Sequence, residues 1–434
     1  MTDIRNEHLF FDVTPKVVPA GRLTPIDIAP LFDHVRFKES AEYFLGFHPL
    51  EAFDGERTTS SDPVPVKPTD GRLRVVRPFD HEQEYALTLE ERVGSERGET
   101  WDFRVYALDE DLYVRRPFKG DFHIHSCRSD GKEPPGYVAA ACRAIGLDFM
   151  AVTDHGLYRP SIEAQDAFAG TPIDLRIFPG EEAHPPENPV HIVNFGGNVA
   201  VNDLMGQDAY AREVAALERD LGPLPFGVDP RHYASACWCF SKIRETGGLA
   251  IFCHPFWIPQ YQYTPPGPLT AHLFDTQPFD AYEVIGGFYL DETESNMLQV
   301  ARYHEERAKG RRIPIVAGSD AHGCETGDLH GWYYSVVFAA STRLEDIIDG
   351  VKTLYSVAIE ALPGETPRAH GPFRLVKYAL FLLREVFPQH DELCIEEGRL
   401  MRAHLARDPD AAQQLARLKG RVAALYGRYW GYPA

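Results

Sequence analysis

Side chains that can bind metals follow strand-like apolar segments repeatedly along this chain, and this repetition constrains the fold more than any other feature. The first case is Asp121-Phe-His123-Ile-His125, in which residues two apart project from one face of a strand. Two imidazoles that converge on one point can hold a divalent metal ion. A His-x-His motif alone is equally consistent with histidines that pack or lie in solvent, so the later segments decide the interpretation.

Later apolar segments carry or end in the same residue types. The predicted strands and their polar residues are 147–153 with Asp154 and His155, 174–178 with Glu181 and Glu182, 190–195 with His191, 249–253 with His254, and 313–317 with Asp320 and His322. Functional groups at the C-terminal ends of successive parallel strands are typical of barrels and open α/β sheets. The pattern therefore predicts an α/β fold with its functional site at those strand ends.

These motifs, in this order, resemble the PHP family, which is named for polymerase and histidinol phosphatase. The resemblance covers about residues 120–358 and includes Ser129-Asp130-Gly131, Gly180-Glu181-Glu182 and His254-Pro255. It implies a distorted, seven-stranded β/α barrel, two or three divalent ions of zinc, manganese or iron, and hydrolysis of phosphoesters. The layout is also similar to a branch of the family with an N-terminal β domain, which includes carbamate hydrolases acting on carbaryl.

The resemblance further implies a ligand set. His123, His125 and Asp320 would hold the first metal ion. Glu182 would be the bridging carboxylate, and His191 and His254 would complete the second site. Asp130, His155 and His322 would form the third site. Asp130 stands where some relatives have histidine, which affects the affinity or identity of the third ion. The adjacent Glu181 remains an alternative to Glu182, because either carboxylate could be the bridge.

The chemistry expected of such a cluster is water activation. A bound divalent ion lowers the pKa of water from near 16 to about 7 and so supplies hydroxide at neutral pH. We therefore expect a metal-dependent hydrolase acting on a small molecule, with phosphoester hydrolysis favoured. Hydrolysis of a carboxyl ester, amide or carbamate is the alternative enzyme activity, and a non-catalytic, metal-stabilised binding module is the rival outside enzymes.

Three further residues are candidates for contact with the substrate. Arg128 and Arg159 leave turns that carry predicted ligands, so they could bind a phosphate, although a solvated surface charge is the simpler interpretation of any one arginine. His184 lies two residues beyond Glu182 and is a candidate to protonate a leaving group.

Two other features carry alternatives. The segment 255–268 is rich in proline and aromatic residues, and Trp257, Tyr261 and Tyr263 could contact substrate or simply cover their own core. Asp121 and Asp154 could orient ligand histidines as hydrogen-bond acceptors, although Asp154 is equally well explained as a turn residue.

Composition limits the partners and the compartment. The chain has 434 residues and a net charge of −20, which disfavours binding to nucleic acid or to anionic membranes. No apolar segment reaches transmembrane length, and the N-terminus lacks a signal-peptide core. Seven cysteines without disulfide-scaffold density indicate a reducing, cytoplasmic location. The oligomeric state is not indicated.

Three domains are predicted. Residues 1–118 contain short alternating segments typical of an antiparallel β-sandwich, 119–361 form the barrel, and 362–434 form a helical C-terminal segment. The predicted strands of the first domain are 9–13, 73–77, 85–89, 103–106 and 112–115, with a long loop over 54–71. The predicted helices of the rest are 210–221, 233–246, 372–386, 391–406 and 409–426.

Overall fold

The structure is a computed structural model that describes residues 9–51, 63–325 and 327–431. The chain divides into two compact units. The first comprises Met1–Arg115, Leu380–His390 and Gly420–Ala434, and the second comprises Arg116–Ala379 and Asp391–Lys419. The first part of the predicted loop over 54–71 lies outside the described residues.

The first unit contains two β-sheets. Its strands are β1 (Phe11–Thr14), β2 (Val17–Pro19), β3 (Thr24–Pro30), β4 (Glu42–Pro49), β5 (Val64–Val66), β6 (Pro68–Thr69), β7 (Arg72–Arg77), β8 (Gln83–Val93) and β9 (Glu96–Leu108). The strand orders are β1-β3-β7-β6 and β2-β9-β8-β4-β5, with every pair antiparallel except β2 with β9.

Alternating burial explains how these strands share a core. Along β8, inward residues such as Leu87 and Leu89 are buried while their neighbours are partly exposed, which is the pattern of a strand with one apolar face. Ile28 and Leu73 from the four-stranded sheet belong to the same buried cluster. A β-sandwich in the strict sense stays a prediction.

The predicted strand over 112–115 is wrong, because Leu112 and Tyr113 are the last residues of a short helix. Residues Glu110–Tyr113 form the short helix α1, preceded by Asp109 in an extended conformation. Glu110 and Asp111 lie in its first turn, where carboxylates interact favourably with the positive end of the helix dipole. The alternating apolar residues of this segment concealed the helix start.

The second unit contains two further sheets. Its strands are β10 (Arg116–Asp121), β11 (Phe149–Ala151), β12 (Arg176–Phe178), β13 (Gly180–Ala183), β14 (Ile192–Phe195), β15 (Leu249–Phe252), β16 (Ala281–Ile285), β17 (Ile315–Ala317), β18 (Tyr333–Ala339), β19 (Ser356–Glu360) and β20 (Arg368–His370). The orders are β12-β11-β10-β18-β19-β20 and β13-β14-β15-β16-β17. The parallel pairs are β10 with β11, β11 with β12, β15 with β16 and β16 with β17.

Isolated bridges connect the two sheets of this unit beside the predicted ligands. Ile124 pairs with Ala321, and His155 pairs with Glu182. The mixed α/β class is therefore confirmed, whereas the distorted barrel of seven strands stays a prediction.

Helices of the second unit join its strands. They are α2 (Pro135–Ala144), α3 (Arg159–Asp166), α4 (Val201–Met205), α5 (Asp208–Asp220), α6 (Pro230–Glu245), α7 (Gly267–Thr276), α8 (Thr293–Ala308) and α9 (Leu344–Lys352). In α6, Asp229 caps the N-terminus by accepting hydrogen bonds from the backbone N–H groups of Arg231 and His232. In the part of the chain that the structure describes, no helix combines the length and apolar character needed to cross a membrane.

The C-terminal region is helical. Its helices are α10 (Phe373–Glu385), α11 (Phe387–Leu405), α12 (Ala411–Leu418) and α13 (Arg421–Tyr429). The single helix expected over 409–426 is two helices, because Gly420 adopts φ 83° between them. Residues beyond 362 are divided between the two compact units.

Candidate metal centre

His123 and His125 lie just beyond the end of β10, so their predicted position within a strand is wrong by a few residues. The strand ends at Asp121, and the chain continues in an extended form. The backbone N–H of His125 donates to the carbonyl of Ala321 at 3.0 Å, and that of Asp320 donates to the carbonyl of His123 at 2.7 Å. These bonds align the His-x-His segment with the segment that carries Asp320.

The first group of candidate ligands is therefore compact. Nε2 of His125 lies 2.8 Å from Oδ1 of Asp320 and 3.2 Å from Nε2 of His123. Nε2 of His123 lies 3.3 Å from the same Asp320 oxygen. The two imidazoles are fully buried, so these three side chains can present ligand atoms to one ion in a site with little water.

Glu182 lies at the middle of the cluster. Its Oε1 is 2.8 Å from Nδ1 of His191 and 3.3 Å from Nε2 of His254. Its Oε2 is 2.6 Å from Nδ1 of His155 and 3.5 Å from Nε2 of His123. Among the described residues, neither oxygen has a hydrogen-bond partner of acceptable geometry, although both are buried. Buried polar atoms are normally satisfied, so these two oxygens fit a cation that bridges them to the surrounding ring nitrogens.

A third group lies at the outer side of the cluster. Oδ2 of Asp130 is 3.3 Å from Nε2 of His322 and 3.4 Å from Nε2 of His155. Together with His125, these residues place four ligand atoms close enough for one ion. Asp130 is 54% exposed, so this position is the most open to solvent of the three.

Glu182 and His191 have protonation states that suit ligation. Burial alone would raise the pKa of Glu182, but the adjacent histidines, His123 first, hold it well below its usual value. Burial lowers the pKa of His191 to about 4, which keeps its imidazole neutral. An ionised carboxylate and a neutral imidazole are the forms that bind a divalent cation. At His123, His155 and His254, burial opposes protonation but neighbouring carboxylates raise the pKa, so a metal ion would displace protons from these rings.

Glu181 has different surroundings from Glu182. Its carboxylate accepts hydrogen bonds from the backbone N–H of Val201 at 2.5 Å, from Nδ2 of Asn202 at 2.8 Å and from Nδ2 of Asn194 at 3.0 Å. These donors use the lone pairs that a metal would need. The choice of Glu182 as the bridge is supported by this contrast and remains a proposal.

Glu283 was missed by the sequence argument. It is buried on β16, and its Oε2 lies 2.9 Å from Nδ1 of His123. A carboxylate on the second ring nitrogen fixes the ring orientation and increases the basicity of the nitrogen that faces the metal. The available signal was a glutamate inside the otherwise apolar segment Ala281–Ile285.

The carboxylates of Asp121 and Asp154 accept hydrogen bonds from backbone and serine groups rather than from imidazole rings. Asp121 accepts hydrogen bonds from the N–H groups of His123 at 3.1 Å and Ser319 at 2.9 Å. Asp154 accepts them from the backbone N–H of Ser126 at 2.6 Å and from the hydroxyl of Ser129 at 2.7 Å. Both carboxylates therefore shape the turns from which the candidate ligands project.

A cavity of about 340 Å³ opens onto the cluster. Asp130, His191, His254, Asp320 and His322 are among its lining residues. Trp257, Phe288 and Tyr289 form an aromatic wall. Of the three aromatic candidates in 255–268, only Trp257 lines the cavity, since Tyr261 is fully exposed and Tyr263 packs against Phe256.

Arg128 and Arg159 are not brought to this cavity. Arg128 is 51% exposed and forms a salt bridge of 2.5 Å with Glu163. Arg159 is 73% exposed and lies 3.0 Å from Asp166. Both carboxylates belong to α3, and the described residues that line the cavity include no arginine or lysine.

His184 contacts the cluster but is not among the described residues that line the cavity. Its Nε2 lies 3.0 Å from Nδ1 of His155 and 3.5 Å from Oε2 of Glu182. These three residues could themselves hold an ion. The position is as compatible with a ligand as with the predicted proton donor.

Two candidate ligands have left-handed backbone conformations. His254 has φ 24° and Asp320 has φ 50°. L-residues avoid this region because of contact between Cβ and the backbone, and residues held there cluster at functional sites. The surrounding hydrogen bonds therefore hold these side chains at some cost in stability.

Comparisons with known proteins do not assign a family. No family model matches the chain, and no curated protein matches it. A two-domain protein from Bacteroides vulgatus, said to contain a predicted PHP-like metal-dependent phosphoesterase, is 17% identical over 56% of this chain and 65% of its own, with TM-score 0.40. The chain thus spans slightly less than two thirds of that protein.

Two other solved structures are similarly distant. A protein from Bifidobacterium adolescentis, described as a candidate metal-dependent phosphoesterase, is 18% identical over 48% of this chain and 89% of its own, with TM-score 0.32. An amidohydrolase from Chromobacterium violaceum is 19% identical over 49% of this chain and 90% of its own, with TM-score 0.30. Any assignment of function therefore depends on the geometry of the cluster.

Proposed function

We propose that this chain is a metal-dependent hydrolase of small molecules and that phosphoesters are its substrates. The observation that carries this proposal is Glu182, a buried carboxylate with both oxygens unsatisfied among described residues and with ring nitrogens on each side. A purely structural glutamate in that position would leave a buried charge without hydrogen bonds, which is costly.

The residues divide into holding and orienting roles. The proposed ligands are His123, His125, Asp130, His155, Glu182, His191, His254, Asp320 and His322. Glu283 orients His123, and Asp154 holds the turn after His125. Two or three bound divalent ions would supply hydroxide at neutral pH and neutralise charge on the substrate.

Charge favours a phosphoester over a neutral substrate. Two divalent ions would bring four positive charges and three would bring six, against the three carboxylates Asp130, Glu182 and Asp320. With Glu283, which contacts His123, counted as a fourth carboxylate, a centre of three ions would be net positive even without an arginine, whereas a centre of two ions would be neutral. A net positive site in a buried setting attracts an anionic phosphoryl group more strongly than a neutral ester.

One observation favours the alternative of a carboxyl ester, amide or carbamate. The cavity has an aromatic wall of Trp257, Phe288 and Tyr289, and no arginine or lysine is among its described lining residues. Phosphate sites commonly use such cations to fix the phosphate oxygens. A neutral substrate with an apolar group would fit these walls equally well.

Metal analysis with a matched substrate pair tests the proposal. Purified protein should contain at least two transition-metal ions per chain and should hydrolyse p-nitrophenyl phosphate faster than p-nitrophenyl acetate, relative to the uncatalysed rates. If hydrolysis of the acetate is accelerated more than hydrolysis of the phosphate, the proposal of a phosphoesterase would be replaced by that of a carbonyl hydrolase. Bound metal with no turnover of either ester or of a p-nitrophenyl carbamate would support the non-catalytic binding module.

A further inference from the structure

A second cavity of the same unit is lined by arginines. It has a volume of about 420 Å³, within the range of small-molecule sites. Its cationic lining residues are Arg307, Arg311, Arg312 and Arg374. In a chain with a net charge of −20, a cavity with four arginines in its lining is a local concentration of cationic side chains.

Two of these arginines have no carboxylate partner among the described residues. Arg311 lies 2.8 Å from Asp275 and also contacts Glu306, so its charge is compensated. Within the described ranges, no carboxylate pairs with Arg307 or Arg312. The guanidinium of Arg307 lies over the ring of Tyr303, 5.6 Å from its centroid, which directs the group along the cavity wall.

The position of the cavity separates it from the candidate metal centre. Arg312 and Ile313 precede β17, whereas Asp320 follows the same strand. The other walls come from α8, from the turn after α9 and from the first turn of α10. The N-terminal end of a helix carries partial positive charge, so the first turn of α10 adds to the attraction for an anion.

The remaining walls define the rest of the ligand. Tyr303 and Tyr355 contribute aromatic rings, and Ile313 and Leu375 contribute aliphatic groups. Planar guanidinium forks match the oxygens of phosphate-like groups. We propose that this cavity binds a small organic anion, either a phosphate monoester or a phosphonate, with an apolar substituent. The site does not depend on the function proposed for the metal centre.

Phenylphosphonate is a suitable probe, because its P–C bond resists hydrolysis and its ring matches the apolar walls. Titration calorimetry on the full chain should detect binding that persists in Glu182→Gln, a variant that alters only the metal centre. Adding Arg307→Gln and Arg312→Gln should weaken that binding at least about tenfold, since each charge-assisted hydrogen bond has a substantial effect. Benzamide, which is similar in size and uncharged, should bind at least about tenfold more weakly than phenylphosphonate.

The matched control is the double variant Arg219→Gln and Arg417→Gln, which removes the same charge from exposed positions on α5 and α12 that form no ion pair with a described residue. The proposal is overturned if the control weakens binding as much as the cavity variant, if the cavity variant binds like its parent, or if benzamide binds equally well. Should the double variant fail to fold, Arg312→Gln alone decides the question, because Arg312 is exposed and its loss removes no ion pair with a described residue.

Discussion

Two buried glutamates, one in each compact unit, have opposite surroundings. Glu91 on β8 accepts hydrogen bonds from the hydroxyl of Tyr43 at 3.2 Å and from the ammonium of Lys38 at 3.2 Å. Glu182 on β13 is surrounded by imidazoles and has no hydrogen bond of acceptable geometry with a described residue. Burial alone therefore does not distinguish a structural carboxylate from a functional one.

The difference lies in what the neighbours can donate. A hydroxyl, an ammonium or a backbone N–H always carries a proton, so Glu91 is satisfied within the protein. An imidazole can instead present a lone pair, and several of them around Glu182 create a site that a cation completes. The comparison predicts that Glu182 controls metal content, whereas Glu91 controls the stability of its sheet.

The largest expected effect is that of Glu182→Gln. We expect a loss of more than about a hundredfold in kcat/KM for p-nitrophenyl phosphate, because groups that merely orient ligands already contribute ten- to hundredfold. Metal content per chain should fall in parallel, as measured by elemental analysis. Glu181→Gln is the matched control and should retain its metal. The reverse order of effects would make Glu181 the bridge.

Glu283→Gln should have the next largest effect. An amide holds the His123 ring less firmly and increases its basicity less than a carboxylate does. We expect about a ten- to hundredfold loss of metal affinity, measured by competition with a chelator. Unchanged affinity would contradict the orienting role. Glu306→Gln, at a buried carboxylate paired with Arg302, is the control that should leave affinity unchanged.

Glu91→Gln should act on stability alone. Losing the charged partner of Lys38 and Tyr43 should lower the free energy of unfolding by about 1–3 kcal/mol, seen in urea denaturation. Metal content and kcat should equal those of the parent protein. A loss of metal in this variant would remove the distinction between the two glutamates.

The smallest effect is expected for Arg128→Ala. Its guanidinium is exposed and paired with Glu163, and exposed salt bridges contribute about 0–1 kcal/mol. We expect kcat/KM for a phosphomonoester to change less than about twofold. A decrease of tenfold or more would indicate that Arg128 contacts the substrate and would strengthen the phosphoesterase proposal.

The sequence predicted the positions of the candidate ligands better than it predicted those of Arg128 and Arg159. Candidate ligands such as His155, His254 and Asp320 follow apolar strands, and strand ends bring distant residues together in any α/β sheet. The partner of an exposed arginine depends on which helix face lies nearby. Because α3 presents Glu163 and Asp166, Arg128 and Arg159 pair there rather than at the cavity.

Local backbone signals explain the remaining differences. The strand predicted at 112–115 failed because acidic residues at a helix start outweighed the alternating pattern, and the helix at 409–426 was divided by Gly420. Glu283 was not predicted because the residue that hydrogen-bonds to the second nitrogen of a ligand histidine has no fixed sequence spacing from that histidine. The domain bounds and the cytoplasmic location stay predictions.

The left-handed conformation of Asp320 has a consequence for thermal unfolding. At φ 50°, an alanine keeps the backbone conflict of an L-residue, whereas a glycine does not. Both Asp320→Ala and Asp320→Gly remove the carboxylate, yet the glycine variant should unfold at the higher temperature, by the equivalent of about 1 kcal/mol. The melting temperatures of two inactive variants would then still differ because of the left-handed backbone at position 320.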